Sequence, residues 1–368
     1  MVLLFDFPFL ASGLGSPLVR ALYATADKIG ESSGGQLALH EIAALERIAD
    51  EVVVLGWNEL NPGRFHQPES PFAYDYWALQ QIKDQHFDLA ELYSGTFTQT
   101  VRWLRSQGTK VSYCVPAHDR HVTVDEFQRL GLDYPFRHIK DDDLWAIFSQ
   151  GYREADLVIA QSQYSVDVLR REGCRQRIEV VSAGCDIPQT VAPHPERFTV
   201  GYLGQVGPDK GLIYLLQAWS KLNWDDAVLL LAGSGTETLG PFIQRTVPNG
   251  RFQLMGRVPS PSDLYNKCSV YVQPSVTESF ALEVPEAMAH QRPVIVTEGV
   301  GAKDLVRDGI TGFVVPIRDP DALAEKLVYF KEKPEQIRRM GALAWEKSLE
   351  VSWAKVEQHY KEVFQSLL

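Results

Sequence analysis

The sequence predicts an α/β protein built as two doubly wound, Rossmann-like units that face each other across a cleft. Three observations carry that expectation. The chain of 368 residues exceeds what one ordinary core organises and suits two units of about 150 to 200 residues each. Short apolar runs alternate with amphipathic stretches along its length, the pattern of βα repeats that form parallel sheets. A proline-bearing stretch at 187–197 (IPQTVAPHPER) interrupts the alternation, which then restarts.

In the first unit the predicted strands are 20–25, 51–55, 89–93, 110–115, 157–160 and 178–182. In the second they are 198–203, 227–232, 252–255, 270–273, 294–296 and 312–315. The last segment, 334–368, reads as helix, because Ile337, Met340, Leu343 and Ala344, then Trp353, Val356, Tyr360, Val363 and Phe364, recur at helical spacing. The chain is therefore expected to divide into an N-terminal extension (1–17), a first Rossmann-like domain (18–190), a second (191–350) and a C-terminal helix (351–368) crossing back to the first. Doubly wound sheets hold ligands beyond the carboxyl ends of their strands, so motifs are sought just after strands.

Composition excludes several classes. Hydrophobic residues at 45% and charged residues at 23% are those of a globular protein. A formal net charge of −11, without a Lys/Arg run, argues against nucleic acid as a partner. Cys114, Cys174, Cys185 and Cys268 are scattered without CxxC spacing, which predicts neither a zinc site nor a disulfide framework and fits a reducing, cytoplasmic setting. The opening MVLLFDFPFL is apolar, but Asp6 and Pro8 interrupt it, it lacks a basic start, and it is too short to span a bilayer. It is expected to be an extension, with peripheral contact to the cytoplasmic membrane face as the other reading of its Phe-rich side.

After the strand at 270–273 comes PSVTESFALEVPEAMA, from Pro274 to Ala289. Pro285 suits the first turn of a helix, which puts Glu286 near that helix's start and Glu278 in the preceding loop. Amides around residues 280–283 are then unpaired and aimed at the cleft, a ready site for a diphosphate. Two carboxylates beside such a site can each accept two hydroxyl hydrogen bonds from a vicinal diol, which matches the ribose and the hexose of a nucleotide sugar. The competing reading is a capped helix with two solvated carboxylates.

These residues resemble the signature of glycosyltransferase family 4, within the GT-B fold: two glutamates eight positions apart, EAMA-like residues and PVI. Here Glu278 and Glu286 are followed by Ala287, Met288 and Ala289 and then by Pro293, Val294 and Ile295. The resemblance implies that Glu278 holds hydroxyls of the donor sugar and Glu286 the nucleotide ribose, with Phe280, Ala281 and Leu282 at the donor. Two departures accompany it: Ala281 replaces glycine in the FGL-like step, and Gln291 stands where a helix-ending glycine is usual.

Further motifs follow the family's order. In 201–211 (GYLGQVGPDKG) a strand and the Gly204 turn precede Lys210, a point charge for phosphate or, in the other reading, a solvated helix residue. The family has an arginine directly after the first glycine, and Gln205 stands there instead. A charge-assisted hydrogen bond is worth roughly 1.5–3 kcal/mol, so a neutral amide weakens leaving-group stabilisation unless another cation such as Arg257 compensates. Gly233 lies in the strand-end turn LAGSG, and LMGRV resembles the segment beside the nucleobase, where backbone groups of Arg257 and Val258 would meet the base edge. Near the start, Gly34 and Gly35 in SSGGQ resemble the glycine loop that approaches the donor phosphates, glycine permitting close backbone approach.

The strand at 110–115 ends in Pro116-Ala117-His118-Asp119, where the family places a histidine near the reacting sugar, so the resemblance carries that role to His118. The loop from Tyr93 to Thr96 is expected to border the acceptor. Asp141-Asp142-Asp143 contains a DxD pattern but precedes an apolar stretch, LWAIF, so it reads as a helix start favoured by the macrodipole and implies no metal.

The activity these expectations describe is retaining transfer of a sugar from a UDP-, GDP- or ADP-sugar to a hydroxyl of a carbohydrate, lipid-linked or small-molecule acceptor, with no further cofactor. His118, Glu278 and Lys210 carry the chemistry. The barrier is C1–oxygen cleavage through an oxocarbenium-like state, and the main task is to stabilise charge on the departing diphosphate. Two rivals remain: a phosphorylase or epimerase of similar fold, and a non-catalytic or weakly active nucleotide-sugar- or glycan-binding relative, to which Gln205 lends support.

Overall fold

The computed structural model describes residues 19–25, 33–56, 71–93, 97–117, 119–133, 149–247 and 251–368. The extension at 1–17, Ser32, the loop residues Ser94, Gly95 and Thr96, His118, and Asp141 to Asp143 lie outside the described residues.

The first unit holds β1 (Arg20–Thr25), β2 (Glu51–Gly56), β3 (Leu89–Tyr93), β4 (Lys110–Val115), β5 (Leu157–Ala160) and β6 (Arg177–Val180). They form one sheet in the order β2-β1-β3-β4-β5-β6. The second unit holds β7 (Thr199–Leu203), β8 (Val228–Ala232), β9 (Phe252–Gly256), β10 (Val270–Gln273), β11 (Val294–Thr297) and β12 (Gly312–Val315), ordered β12-β11-β10-β7-β8-β9. Every pairing is parallel. Apolar strands such as β3 and β11 are buried along their whole length, as strands covered on both faces must be. The edge strand β6 has no fully buried residue.

Helices α1 (Ser33–Glu46), α2 (Pro71–Ile82), α3 (Thr98–Ser106), α4 (Arg120–Arg129) and α5 (Gln163–Arg171) belong to the first unit. The second has α6 (Leu212–Leu222), α7 (Gly240–Thr246), α8 (Ser262–Tyr265), α9 (Glu283–Ala289), α10 (Pro320–Glu332) and α11 (Pro334–Ser348), and α12 (Trp353–Gln365) ends the chain. No helix among the described residues is long and apolar enough to cross a membrane.

The segment at 334–368 is not one helix. Residues 349–352 break it, because the chain there pairs with the connection between the units: the Cys185 amide donates to the Val351 carbonyl at 3.0 Å and the Trp353 amide to the Cys185 carbonyl at 3.4 Å. Backbone partners outside the helix replace the helical ones, and Ser352 is extended at φ −59°, ψ 145°. From this break α12 packs on α1 of the first unit. Trp353 stacks on His40 with ring centroids 3.9 Å apart, His40 Nδ1 meets Glu357 Oε1 at 2.7 Å, and the buried Tyr360 hydroxyl lies 3.9 Å from Cys114 Sγ.

The connection is also held from the second unit. Arg292, fully buried, donates to the Tyr265 and Ala192 carbonyls, each at 2.8 Å, and to His194 Nδ1 at 2.6 Å. Burial, then the guanidinium charge, pushes the His194 pKa down to about 4, so the ring is neutral and its Nδ1 can accept.

In each sheet the strand order reverses at one point, between β1 and β3 and between β7 and β10. Ligand crevices of doubly wound sheets open at such points. A cavity of about 330 Å³ lies between them, with Leu37, Tyr93 and Pro116 on one side and Gly204, Lys210 and Glu278 on the other.

Candidate active site

Close backbone contacts bring Lys210 and Glu278 together. After β7 a short 3-10 turn, Pro208–Lys210, ends at Gly211 with φ +64°, and a Cβ there would lie 1.9 Å from the Pro274 carbonyl. Only glycine lets the two chains approach so closely. The Val276 amide then donates to the Asp209 carbonyl at 2.7 Å, joining the β7 turn to the loop after β10. Beside it, Gly233 at φ +117° abuts Gly204, whose carbonyl would sit 2.0 Å from an added Cβ.

The Glu278 loop is fixed from both sides. The Glu278 amide donates to the Gly299 carbonyl at 2.8 Å, and the Gly301 amide donates to the Glu278 carbonyl at 3.0 Å. From the first unit, the Asp119 amide and the Tyr164 hydroxyl both donate to Thr277 Oγ1 at 2.8 Å, and Ser162 Oγ donates to the Ser279 carbonyl at 2.6 Å. A second tie lies at the edge of the interface, where the fully buried Glu126 of α4 accepts from Tyr214 at 2.5 Å and from Arg318 at 2.6 Å.

Lys210 Nζ pairs with Glu278 Oε2 and lies 3.5 Å from Asp209 Oδ2. Burial alone would lower the lysine's pKa, but Glu278, Asp209 and Glu283 more than reverse this, so it stays a cation. Glu283 is pushed up to about 7 by burial and then by Glu278. Glu286 is pushed up to about 8 by burial and then by Glu283, although the Tyr265 hydroxyl donates to its Oε2 at 2.8 Å.

Of the residues singled out in the sequence, Gly204, Gln205, Lys210, Glu278, Phe280, Ala281 and Leu282 line the cavity together. Gly34 and Gly35 form the first turn of α1, just before the cavity-lining Leu37. Gly233 is one turn behind, through its contact with Gly204. Arg257 and Val258 follow β9; Val258 is half-buried, and Arg257 is exposed and not part of the cavity wall. Gln205 is exposed, with its carbonyl accepting from Tyr202 at 3.2 Å. Lys210 is thus the one cationic side chain among the described residues of the cavity wall.

Ala281 has φ +77° and Gln291 φ +57°, so both depart from glycine while keeping the left-handed backbone that glycine favours. The sequence reading missed Glu283. Its signal was present as a third carboxylate within the nine residues from Glu278 to Glu286, three positions before Glu286 on the same helix.

Comparison with known proteins supports the resemblance. Residues 197–332 match the family model described as "Glycosyl transferases group 1". The capsular polysaccharide biosynthesis glycosyltransferase CapM of Staphylococcus aureus is 31% identical over 176 residues, 45% of this chain and 46% of that protein. A D-inositol 3-phosphate glycosyltransferase of Corynebacterium urealyticum is 28% identical over 249 residues, 58% of this chain and 57% of that protein. The chain thus spans about half the length of these curated relatives. Among solved structures, sucrose-phosphate synthase from Thermosynechococcus elongatus superposes with a TM-score of 0.76 at 19% identity, over 95% of this chain and 99% of that one. HepE from Anabaena, in complex with UDP and glucose, superposes with a TM-score of 0.70 at 18% identity, over 95% of this chain and 100% of that one. The fold is GT-B, two six-stranded parallel sheets facing across a cleft.

Proposed function

We propose that this GT-B chain, a member of the glycosyltransferase family 4 type through its group 1 second unit, is a retaining glycosyltransferase that moves a sugar from a nucleotide-sugar donor to a hydroxyl acceptor. The observation that carries this reading is the pairing of Lys210 with Glu278 on the wall of a cavity between the two topological switch points. Facing each other, each neutralises the other. A donor would exchange that partnership for two better ones, its diphosphate taking the ammonium and its sugar hydroxyls taking the carboxylate.

Cleavage of the C1–oxygen bond places developing positive charge on the sugar ring and negative charge on the diphosphate. Lys210, fixed against the Pro274 chain by Gly211, stabilises the departing phosphate without reorganising. Glu278 positions the sugar, and the loop clamped by Thr277 and Ser279 keeps it aligned with the first unit, from which the acceptor hydroxyl attacks. The family resemblance implies retention, with attack on the face the phosphate leaves and the departing phosphate accepting the hydroxyl's proton. It assigns His118 to support of the reacting sugar and Glu286 to the ribose. The complex of HepE with UDP and glucose supports a UDP-sugar as the first donor to assay.

Purified protein given UDP-, GDP- and ADP-sugars with a panel of carbohydrate and lipid-linked acceptors should release nucleoside diphosphate, and the product anomer should keep the donor's configuration. Inversion of the anomer would remove the retaining assignment. Donor binding without turnover across the panel would favour a binding protein, the reading that Gln205 supports. Failure of every nucleotide sugar to bind would remove both.

A further inference from the structure

The phosphate end of the cleft carries more negative charge than its lysine offsets. Lys210 faces three carboxylates, Glu278, Asp209 and Glu283, and Glu283 lines the cavity itself. Glu283 is not one of the two signature glutamates, so the donor reading gives it no task. A nucleotide sugar brings one more negative charge per phosphate into this space, and like charges in a partly desolvated cleft repel strongly.

Resting on the nucleotide-sugar reading of the cleft, we propose that Glu283 is a proton-coupled binding residue for the donor diphosphate. Its carboxyl takes up one proton from solvent as the diphosphate seats, and the neutral group then donates that proton in a hydrogen bond to a phosphate oxygen. A neutral carboxyl has an O–H donor that a carboxylate lacks, so the same side chain changes from repelling the donor to holding it.

Of the two α9 carboxyls that burial raises into the neutral range, Glu283 and Glu286, Glu283 is the one that lines the cavity. Lys210 stays a cation, held so by Glu278 and Asp209. Tyr202 of β7, Tyr271 of β10 and Tyr265 of α8 all feel Glu283, and burial keeps each protonated well above the neutral range. Glu278 adds its charge from the preceding loop, and Glu286, one turn along α9, already accepts from Tyr265. Burial, then Glu278, places Glu283 at about 7, so proton uptake begins within the neutral range.

The test is calorimetric titration of the full chain with UDP-, GDP- and ADP-glucose at pH 6 and pH 8.5, in buffers of different ionisation enthalpy. The pyrophosphate diester holds a constant charge over this range, so any proton taken up belongs to the protein. Wild type should bind its preferred donor at least about tenfold more weakly at the higher pH, with net proton uptake, since affinity falls by up to about tenfold for each pH unit above the titrating pKa. Glu283→Gln should bind at pH 8.5 about as tightly as wild type does at pH 6, without net uptake. Glu286→Gln should leave the proton uptake in place.

The proposal is overturned if wild type binds equally well at both values with no uptake, a result that needs no variant to fold. It is overturned as well if Glu283→Gln, shown to be folded by its unfolding transition, keeps the full pH dependence. If none of the three donors binds at either pH, the nucleotide-sugar reading falls with it, which separates the two failures.

Discussion

In the first unit, Glu41 and Glu91 are fully buried beneath α12, and hydroxyls serve them: Tyr23 donates to Glu41 at 2.6 Å and Ser112 donates to Glu91. In the second, Glu278 and Glu283 line the cleft wall beside Lys210, and Glu286, one turn along α9, accepts from Tyr265. Between the units, Glu126 is as buried as the first pair yet takes a guanidinium from across the interface. The difference shows three ways of keeping a carboxyl out of water. Protonation suits a sealed core, an ion pair suits an interface, and a cluster around one lysine suits the wall of a cavity.

The cleft should give the largest effect when this comparison is broken. Lys210→Ala and Glu278→Ala are each expected to lower transfer about 10²–10³-fold, the range for losing a preorganised charge partner in an active site. Release of nucleoside diphosphate measures this, and activity within tenfold of wild type would show that the pair is structural.

The interface comes next. Removing the buried carboxylate in Glu126→Ala takes that partner from Tyr214 and Arg318, and because Arg318 keeps Asp125 at 2.7 Å and retains 19% side-chain exposure the expected cost is about 2 kcal/mol, below the full range for a buried pair. Urea unfolding measures it, and a cost near zero would mean that the units are held together elsewhere.

The buried pair gives a pH effect of definite sign. Burial, then the charge of Glu41, raises the Glu91 pKa well above the 4.5 of an ordinary glutamate. The folded state therefore holds the proton more tightly than the unfolded one. That stabilisation is fully present below the unfolded pKa and is lost as pH rises from about there through the folded pKa. Glu91→Gln cannot lose a proton, so its melting temperature should fall less than that of wild type between pH 5 and pH 8. Parallel curves would show that Glu91 does not titrate differently on folding.

The smallest effect concerns the backbone. Gln291, at φ +57° just past α9, is in a region that costs an L-residue about 1–2 kcal/mol, partly offset in glycine by a more flexible unfolded chain. Gln291→Gly should stabilise by about 0.5–1 kcal/mol. A loss of stability would show that the Gln291 side chain contributes more than its backbone costs.

Much of the fold was legible because its signals are local. The twelve expected strands correspond to β1 to β12, with shifts of one or two residues at some ends, as between 178–182 and Arg177–Val180. Apolar runs in sheets covered on both faces report themselves directly in sequence. The Glu278 loop and the Lys210 turn were visible for the same reason, since each depends on neighbours within a few residues, whereas Ala281 and Gln291 stood in the sequence only as departures from glycine and the structure gave them the left-handed backbone. Periodicity could not reveal the break at 349–352, because the backbone of Cys185 causes it from more than 160 residues away.

The sequence by itself determined two parallel α/β units, their strand order of appearance, and the residues proposed to meet a donor. Only the tertiary structure decided which of those residues share a cavity, and it admitted Glu283 while leaving Arg257 exposed outside the wall. It also decided which acids meet a lysine, an arginine or a hydroxyl. Hydrogen-bonding propensity and hydrophobic period act between near neighbours in the chain. The charge state of a carboxyl depends on everything within a few ångströms in space, and at this site those neighbours come from β7, β10, α8 and α9 together.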